Sequence, residues 1–320
     1  MKIQVYKLLL MTLILLAGGV RCNAVVRSEL VLADPFILTD GDYYYAYGTS
    51  TDLGIVYYYS KDLVTWAKGG LALNREDTDE KKWFWAPEVY KIDGRYYMYY
   101  SANSHLYVAV ADSPRGPFRQ EGSYLLSSVI GNEPCIDGSM FQDKKGRMWF
   151  YFVRWATEGD ERIYSIRMSD PLTPMPGTMK EILHVDTDWE NIWPKVVEGP
   201  FVIKEKGRYY LSYSANSYES QDYAIGYATS RKPGGTWKKH EGNPILRRWK
   251  GLVGVGHHSF FRDKDNKWRI VYHAHNSDKT IHPRVSYIGS LEFVNGEMRI
   301  VDEEILSPKV VDSLDSPSRP

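Results

Sequence analysis

Five polar residues recur along the 320-residue chain in a common phase: Asp34, Glu88, Asp137, Glu198 and His257. Each stands six to nine positions ahead of a Gly or Asn turn that opens an aromatic-rich segment. These segments read Gly41-Asp42-Tyr43-Tyr44-Tyr45, Gly94-Arg95-Tyr96-Tyr97-Met98, Gly146-Arg147-Met148-Trp149-Phe150, Gly207-Arg208-Tyr209-Tyr210-Leu211 and Asn266-Lys267-Trp268-Arg269-Ile270, at steps of 52 to 61 residues. Carboxyl groups brought together can do acid–base work: a protonated one assists a leaving group while an ionised one activates water or attacks carbon. A third acid nearby is useful because like charges oppose joint ionisation, so one pKa rises. Each unit of rise is worth about 1.4 kcal/mol between the two protonation states, enough to keep an acid protonated near neutral pH. Asp-Pro and Asp-Gly also occur as plain turn formers, and acids that merely cap a strand are the alternative reading. The shared phase of Asp34, Asp137 and Glu198 argues for a common centre.

A single small sheet cannot bury both its faces, so a β-unit repeated at this period reads as a propeller blade. The expectation is an all-β, five-bladed β-propeller in which each polar residue opens the innermost strand of its blade and faces the axis. Further strands are expected over 54–60, 106–111, 162–168 and 224–229. They are followed by the turns Ser60-Lys61-Asp62, Asp112-Ser113-Pro114, Ser169-Asp170-Pro171 and Ser230-Arg231-Lys232-Pro233 and by Trp66, Phe118 and Trp237. No helical periodicity of useful length competes. The last unit runs over 284–293 and a polar tail, 312–320, frays.

Lys2 and Lys7, an apolar run from Leu8 to Ala17, and Cys22-Asn23-Ala24 have the form of a secretory signal, with the cut after Ala24. The apolar run, of about ten residues, is too short to span a bilayer. The expectation is a signal at 1–24 and one domain over 25–320, exported to the outside or the periplasm. A lipid anchor on Cys22 is the alternative, although Arg21 fits that motif poorly. Removing Lys2, Lys7 and Arg21 from 40 basic residues leaves 37 against 40 acidic ones. No basic stripe is present, which excludes nucleic acid as a natural partner. Cys135 then stands alone, so no intrachain disulfide is expected. No cluster has zinc-site spacing, and His273 and His275 have no evident partner in the sequence.

The ordered set Ala33-Asp34-Pro35, Trp85-Ala86-Pro87-Glu88, Ile136-Asp137-Gly138-Ser139, Glu198-Gly199-Pro200 and Gly256-His257-His258-Ser259 resembles glycoside hydrolase family 43 over the whole chain after the signal. The resemblance implies an inverting hydrolase with Asp34 as general base, Glu198 as general acid and Asp137 tuning and orienting Glu198. The two main groups would then stand about 6.5–9.5 Å apart, with a water between. It also implies that His257 approaches an axial Ca²⁺ or Na⁺; a His bonded to an axial water is the alternative, since Ca²⁺ prefers several oxygens. No cofactor is implied for the chemistry. Trp85 would wall the sugar pocket or pack in the core, and Arg284 would contact substrate hydroxyls or support the acids. Phe36 and Ser139 flank the acids and would shape the pocket, Glu88 would line its floor or support a neighbour, and His258 would pack. The implied substrate is a polysaccharide or oligosaccharide bearing terminal α-L-arabinofuranosyl or β-xylosyl units, such as arabinan, xylan or arabinoxylan. Alternatives are an endo-acting arabinanase or xylanase-type hydrolase, a retaining fructan-type hydrolase, and a non-catalytic sugar-binding propeller.

Overall fold

The computed structural model describes residues 28–155 and 160–314. The expected signal, Cys22 and the last residues of the polar tail lie outside them. Five antiparallel sheets follow one another around a common axis, as the period requires. Their innermost strands are Ala33–Asp40, Trp85–Ile92, Cys135–Gln142, Val197–Glu205 and Gly256–Arg262. Each lies against the next, and the fifth against the first, so the ring is closed. We number the blades 1 to 5 in that order.

The second strands explain the aromatic segments. Arg95–Ala102 and Arg208–Ala215 are buried on both faces except at their first residues and Tyr97, because each blade is sandwiched between two others. Large flat side chains fill the wedges between blades, as where Tyr99 meets Phe150 with centroids 5.1 Å apart. Phe36, Phe201 and Phe260 meet near the axis, with Phe201 edge-on to Phe260 at 5.7 Å.

A hydrogen-bond latch repeats between blades. Tyr47, Tyr99 and Tyr151 are fully buried, and a phenol so placed needs a partner. Tyr47 donates to the carbonyl of Pro114, Tyr99 to that of Pro171 at 2.8 Å, and Tyr151 to that of Pro233 at 2.9 Å. The turns read as punctuation in the sequence are thus acceptors for the preceding blade.

Two features were not foreseen. A strand at Lys309–Val311 runs parallel to residues 65–67 of blade 1 and pairs with Ser28–Glu29, so the first and last strands of the described residues finish the outer edge of that blade. The polar tail begins directly after this strand, and the Leu314 carbonyl accepts the Tyr59 hydroxyl at 3.3 Å. The outermost strands of blades 2 and 4, Arg119–Gln120 and Lys238–Lys239, are two residues long.

Every innermost strand carries the same bulge. Two of its residues stand against one residue of the second strand: 34 and 35 between pairs Ala33–Thr49 and Phe36–Tyr47, 86 and 87 in blade 2, 137 and 138 in blade 3, 199 and 200 in blade 4, and 257 and 258 in blade 5. The first bulge residue has positive φ throughout: Asp34 48°, Ala86 44°, Asp137 57°, Gly199 54° and His257 41°. A bulge re-aims side chains that strict alternation would send into the sheet face. Four of the five are not glycine, and such backbone costs on the order of 1 kcal/mol each. Strain repeated at one place in every blade marks the position at which the site is built.

Candidate active site

The bulges settle the phase of the five polar residues, and they correct it. Asp34, Asp137 and His257 do occupy one equivalent position. Glu198 stands one residue earlier, paired with Ser214, and Gly199 takes the bulge position. Glu88 stands two residues later, paired with Tyr99, and Ala86 holds the bulge position. Sequence distance from a turn could not resolve offsets of one or two residues. Glu88 therefore leaves the pit and bonds the hydroxyl of Tyr90, which lies 3.4 Å from Ser139. Burial first, and then the charge of Asp137, pushes the Glu88 carboxyl up to about 8.

Asp34, Asp137, Glu198, His257, Arg284 and Trp85 line one cavity of about 490 Å³, together with Ile136, Trp155, Glu161, Trp193, Val196 and Tyr218. Phe36 and Ser139 do not line it. Each follows the bulge, which turns it to the opposite side of the inner ring; Phe36 packs on Tyr90 and Phe201 there. Their expected part in the pocket wall is not what the structure has.

The three acids have different surroundings. Arg284 grips Asp34 with both terminal nitrogens, Nη1 to Oδ1 at 2.7 Å and Nη2 to Oδ2 at 3.4 Å. The Asp34 amide donates to Nδ1 of His273 at 3.1 Å, and Nδ1 of His257 lies 3.4 Å from Oδ1. Burial works to raise the Asp34 carboxyl, but the Arg284 guanidinium, with His257 and His273, outweighs it and holds the group well below the usual carboxylate range. His273, which looked partnerless, is thus the support of the Asp34 backbone; burial, then Arg284, keeps its imidazole neutral. His275 likewise has a partner, the carbonyl of Tyr218 at 2.7 Å.

Asp137 accepts the amide of Gly199 at Oδ2, 3.0 Å, and its own amide donates to Ser101 Oγ at 3.1 Å. Burial, then the charge of Asp34, pushes it up to about 7. Glu198 accepts the hydroxyl of Tyr223 at Oε1, 2.6 Å. Burial, then the charge of Asp137, raises Glu198 to about 7 as well, against the pull of His257 and the Tyr223 bond. One carboxyl is therefore locked ionised, and another, beside a like charge, keeps its proton to near neutral pH. Two carboxyls whose environments push their pKa values apart are the pattern of a base and an acid.

His257 points Nδ1 at the acids, 4.0 Å from Asp137 Oδ2, and donates its amide to Ser214 Oγ at 2.8 Å. Among the described residues no three His, Cys, Asp or Glu are grouped to hold a metal ion. A lone imidazole turned toward carboxylates does not match the six to eight oxygens that Ca²⁺ takes, so the protein side chains here do not fit a dedicated cation cage. His258 is buried and bonds Ser212 Oγ at 2.6 Å through Nε2, as a packing residue would.

Several participants escaped the sequence reading. Tyr223 belongs to no repeated motif. Glu161 is a fourth carboxyl in the cavity; it accepts Trp155 Nε1 at 2.6 Å, and burial, then the charge of Glu198, pushes it up to about 9. Trp193 is 74% exposed at the cavity, Trp155 is 41% exposed, and Trp85 stacks on Trp83 at 5.8 Å, leaving broad flat faces at the mouth. The supports of the bulge amides, by contrast, had a readable signal. Thr49, Ser101, Ser214 and His273 keep the same period as the turns.

A model of the family described as "Glycosyl hydrolases family 43" matches residues 23–297. The chain is 38% identical to a crystal structure titled endo-1,4-beta-xylanase from Bacteroides thetaiotaomicron, with a TM-score of 0.85 over 90% of this chain and 100% of that one. It is 26% identical to a beta-D-galactofuranosidase from Aspergillus niger over 73% of this chain and 70% of that protein. It is 27% identical to an extracellular exo-alpha-(1->5)-L-arabinofuranosidase from Streptomyces chartreusis over 79% and 81%.

Proposed function

The chain belongs to glycosyl hydrolase family 43 and is a glycosidase, and from that premise we propose that it is an exported, inverting enzyme releasing terminal α-L-arabinofuranosyl or β-xylosyl units from plant polysaccharide. In this reading Asp34 is the general base. It takes a proton from a water that attacks the anomeric carbon, and it can do so because Arg284 keeps it ionised. Glu198 is the general acid and gives its proton to the departing glycosidic oxygen. Asp137 raises the Glu198 pKa by its charge and, through the Gly199 amide, is tied to the backbone beside that acid. The observation that carries the proposal is this pairing, in one aromatic-lined cavity, of a carboxyl held ionised with one held protonatable. Trp85 and the exposed faces of Trp155 and Trp193 offer stacking surfaces for sugar rings. Export is supported by the signal-like 1–24 segment and by the word extracellular in the name of the Streptomyces relative.

A second reading, cleavage within xylan chains, is favoured by the likeness to the Bacteroides endo-1,4-beta-xylanase. The two are separated by assaying nitrophenyl α-L-arabinofuranoside, β-D-xyloside and β-D-galactofuranoside beside linear arabinan and xylan, with wild type, Asp34→Ala and Glu198→Gln. NMR of the first-formed product reports its anomeric configuration. The expected result is inversion, with a loss of roughly 10²–10⁴-fold for Glu198→Gln. Retention of configuration would remove Asp34 from the role of base, and undiminished cleavage by Glu198→Gln would remove the acid. Sugar binding without cleavage by the wild type would leave a carbohydrate-binding propeller instead.

A further inference from the structure

The five bulges share one support, and one blade departs from it. In each blade the residue paired just before the bulge faces a second-strand residue: Thr49, Ser101, Val153, Ser214 and His273 in turn. Four of these five carry a polar side chain, and each uses it on the bulge amide of the following blade. Thr49 Oγ1 accepts from Ala86 at 3.0 Å, Ser101 Oγ from Asp137 at 3.1 Å, Ser214 Oγ from His257 at 2.8 Å and His273 Nδ1 from Asp34 at 3.1 Å. Val153 has no acceptor to offer. It is fully buried among Ile136, Val197 and other apolar residues. The amide it leaves unserved, that of Gly199, is the one that donates to Asp137 Oδ2 at 3.0 Å.

A buried N–H without a partner is costly, so the nearest acceptor takes it. In blade 1, where Thr49 serves the following amide, the equivalent carboxylate of Asp34 takes Arg284 and the Thr49 hydroxyl instead. We infer that Val153 is a positioning residue for the reaction: by withholding an acceptor from Gly199 it compels Asp137 to accept that amide, fixing the carboxylate against the backbone next to Glu198. The role is specific to this blade because the amide concerned follows the acid directly in sequence.

The test is Val153→Thr, which keeps the side-chain shape and adds a hydroxyl where the other blades have theirs. In a crystal structure of the full chain the Gly199 amide is expected on the introduced hydroxyl, with Asp137 Oδ2 moved beyond about 3.5 Å. On whichever glycoside the wild type cleaves, kcat should fall about ten- to a hundredfold with KM little changed, as misplaced catalytic groups do. The alkaline limb of the pH profile should also move. Val153→Ala is the packing control: it should lower Tm, because it leaves a void, yet keep the wild-type pH profile. Val153→Ser supplies the same hydroxyl should the threonine variant not fold. The inference is overturned if Asp137 stays on Gly199 in the hydroxyl variant, if that variant matches wild type in kcat and pH profile, or if the alanine variant loses kcat equally. The kinetic arm rests on the hydrolase reading. If the wild type cleaves no glycoside, that reading fails, while the crystallographic arm still decides this one.

Discussion

Removing the Arg284 guanidinium should convert an invisible ionisation into a visible one. Arg284 and Asp34 meet through two nitrogens at 2.7 and 3.4 Å, and both side chains are more than nine-tenths buried. Burial alone would raise the Asp34 carboxyl above its ordinary value, so the present depression is the work of neighbouring cations, Arg284 foremost. An opposite charge at this range lowers a carboxyl by roughly 1–3 units, and this two-point grip belongs in the upper half. In Arg284→Met the Asp34 pKa should therefore rise by roughly 2–3 units, a differential of about 3–4 kcal/mol between its protonation states. A base must be ionised to act, so the acid limb of kcat/KM, which in the wild type lies below the working range, should appear within it and sit at higher pH. Stability follows the same sign. A carboxyl with a depressed folded pKa contributes stability above its unfolded pKa and loses it as pH falls through the folded value. The variant should be destabilised by about 3–5 kcal/mol at neutral pH, and by less below pH 4, where protonation removes the uncompensated charge. The assay is kcat/KM from pH 3 to 9 beside thermal melts across the same range. Arg284→Lys, which keeps the charge but loses the planar fork, should place the limb between the two. An acid limb in Arg284→Met that coincides with that of the wild type would refute the assignment of Asp34 as a base held ionised by this arginine.

Three further outcomes follow from the groups around the acids. Tyr223→Phe removes the hydroxyl that stabilises ionised Glu198, so the Glu198 pKa should rise and the alkaline limb move up by roughly 0.5–1 unit in a kcat/KM profile. Glu161, pushed up to about 9, is neutral at pH 7, so Glu161→Gln should keep kcat/KM within about twofold there. Glu161→Ala, which removes a polar group from the cavity wall, should raise KM by about tenfold with little change in kcat, measured by steady-state kinetics.

Much of this molecule is carried by its primary structure. The 52–61-residue period, the Tyr-rich second strands and the Ser, Asp and Pro turns specify five sheets that can bury their faces only against one another. Asp34, Asp137 and Glu198 were legible because they sit near the starts of innermost strands, which converge in a closed ring; Trp85 and Arg284 were legible only through the family resemblance. Register inside the bulge was not legible. A single extra residue decides which of Asp34, Pro35 and Phe36 faces the cavity, and this depends on backbone pairing across strands. Hence Glu198 and Glu88 were assigned a phase they do not have, and Phe36 and Ser139 a wall they do not form. Tyr223, Glu161 and His273 come from other strands and loops: the His273 bond to Asp34 exists only because the ring closes, while Tyr223 meets Glu198 within blade 4 and Glu161 meets Trp155 across one hairpin of blade 3. Chain order was enough to bring Asp34, Asp137 and Glu198 to one cavity. Which of them is ionised and which keeps its proton was decided by three-dimensional surroundings, because the free energy of a charge depends on burial and on what stands within a few ångströms of it.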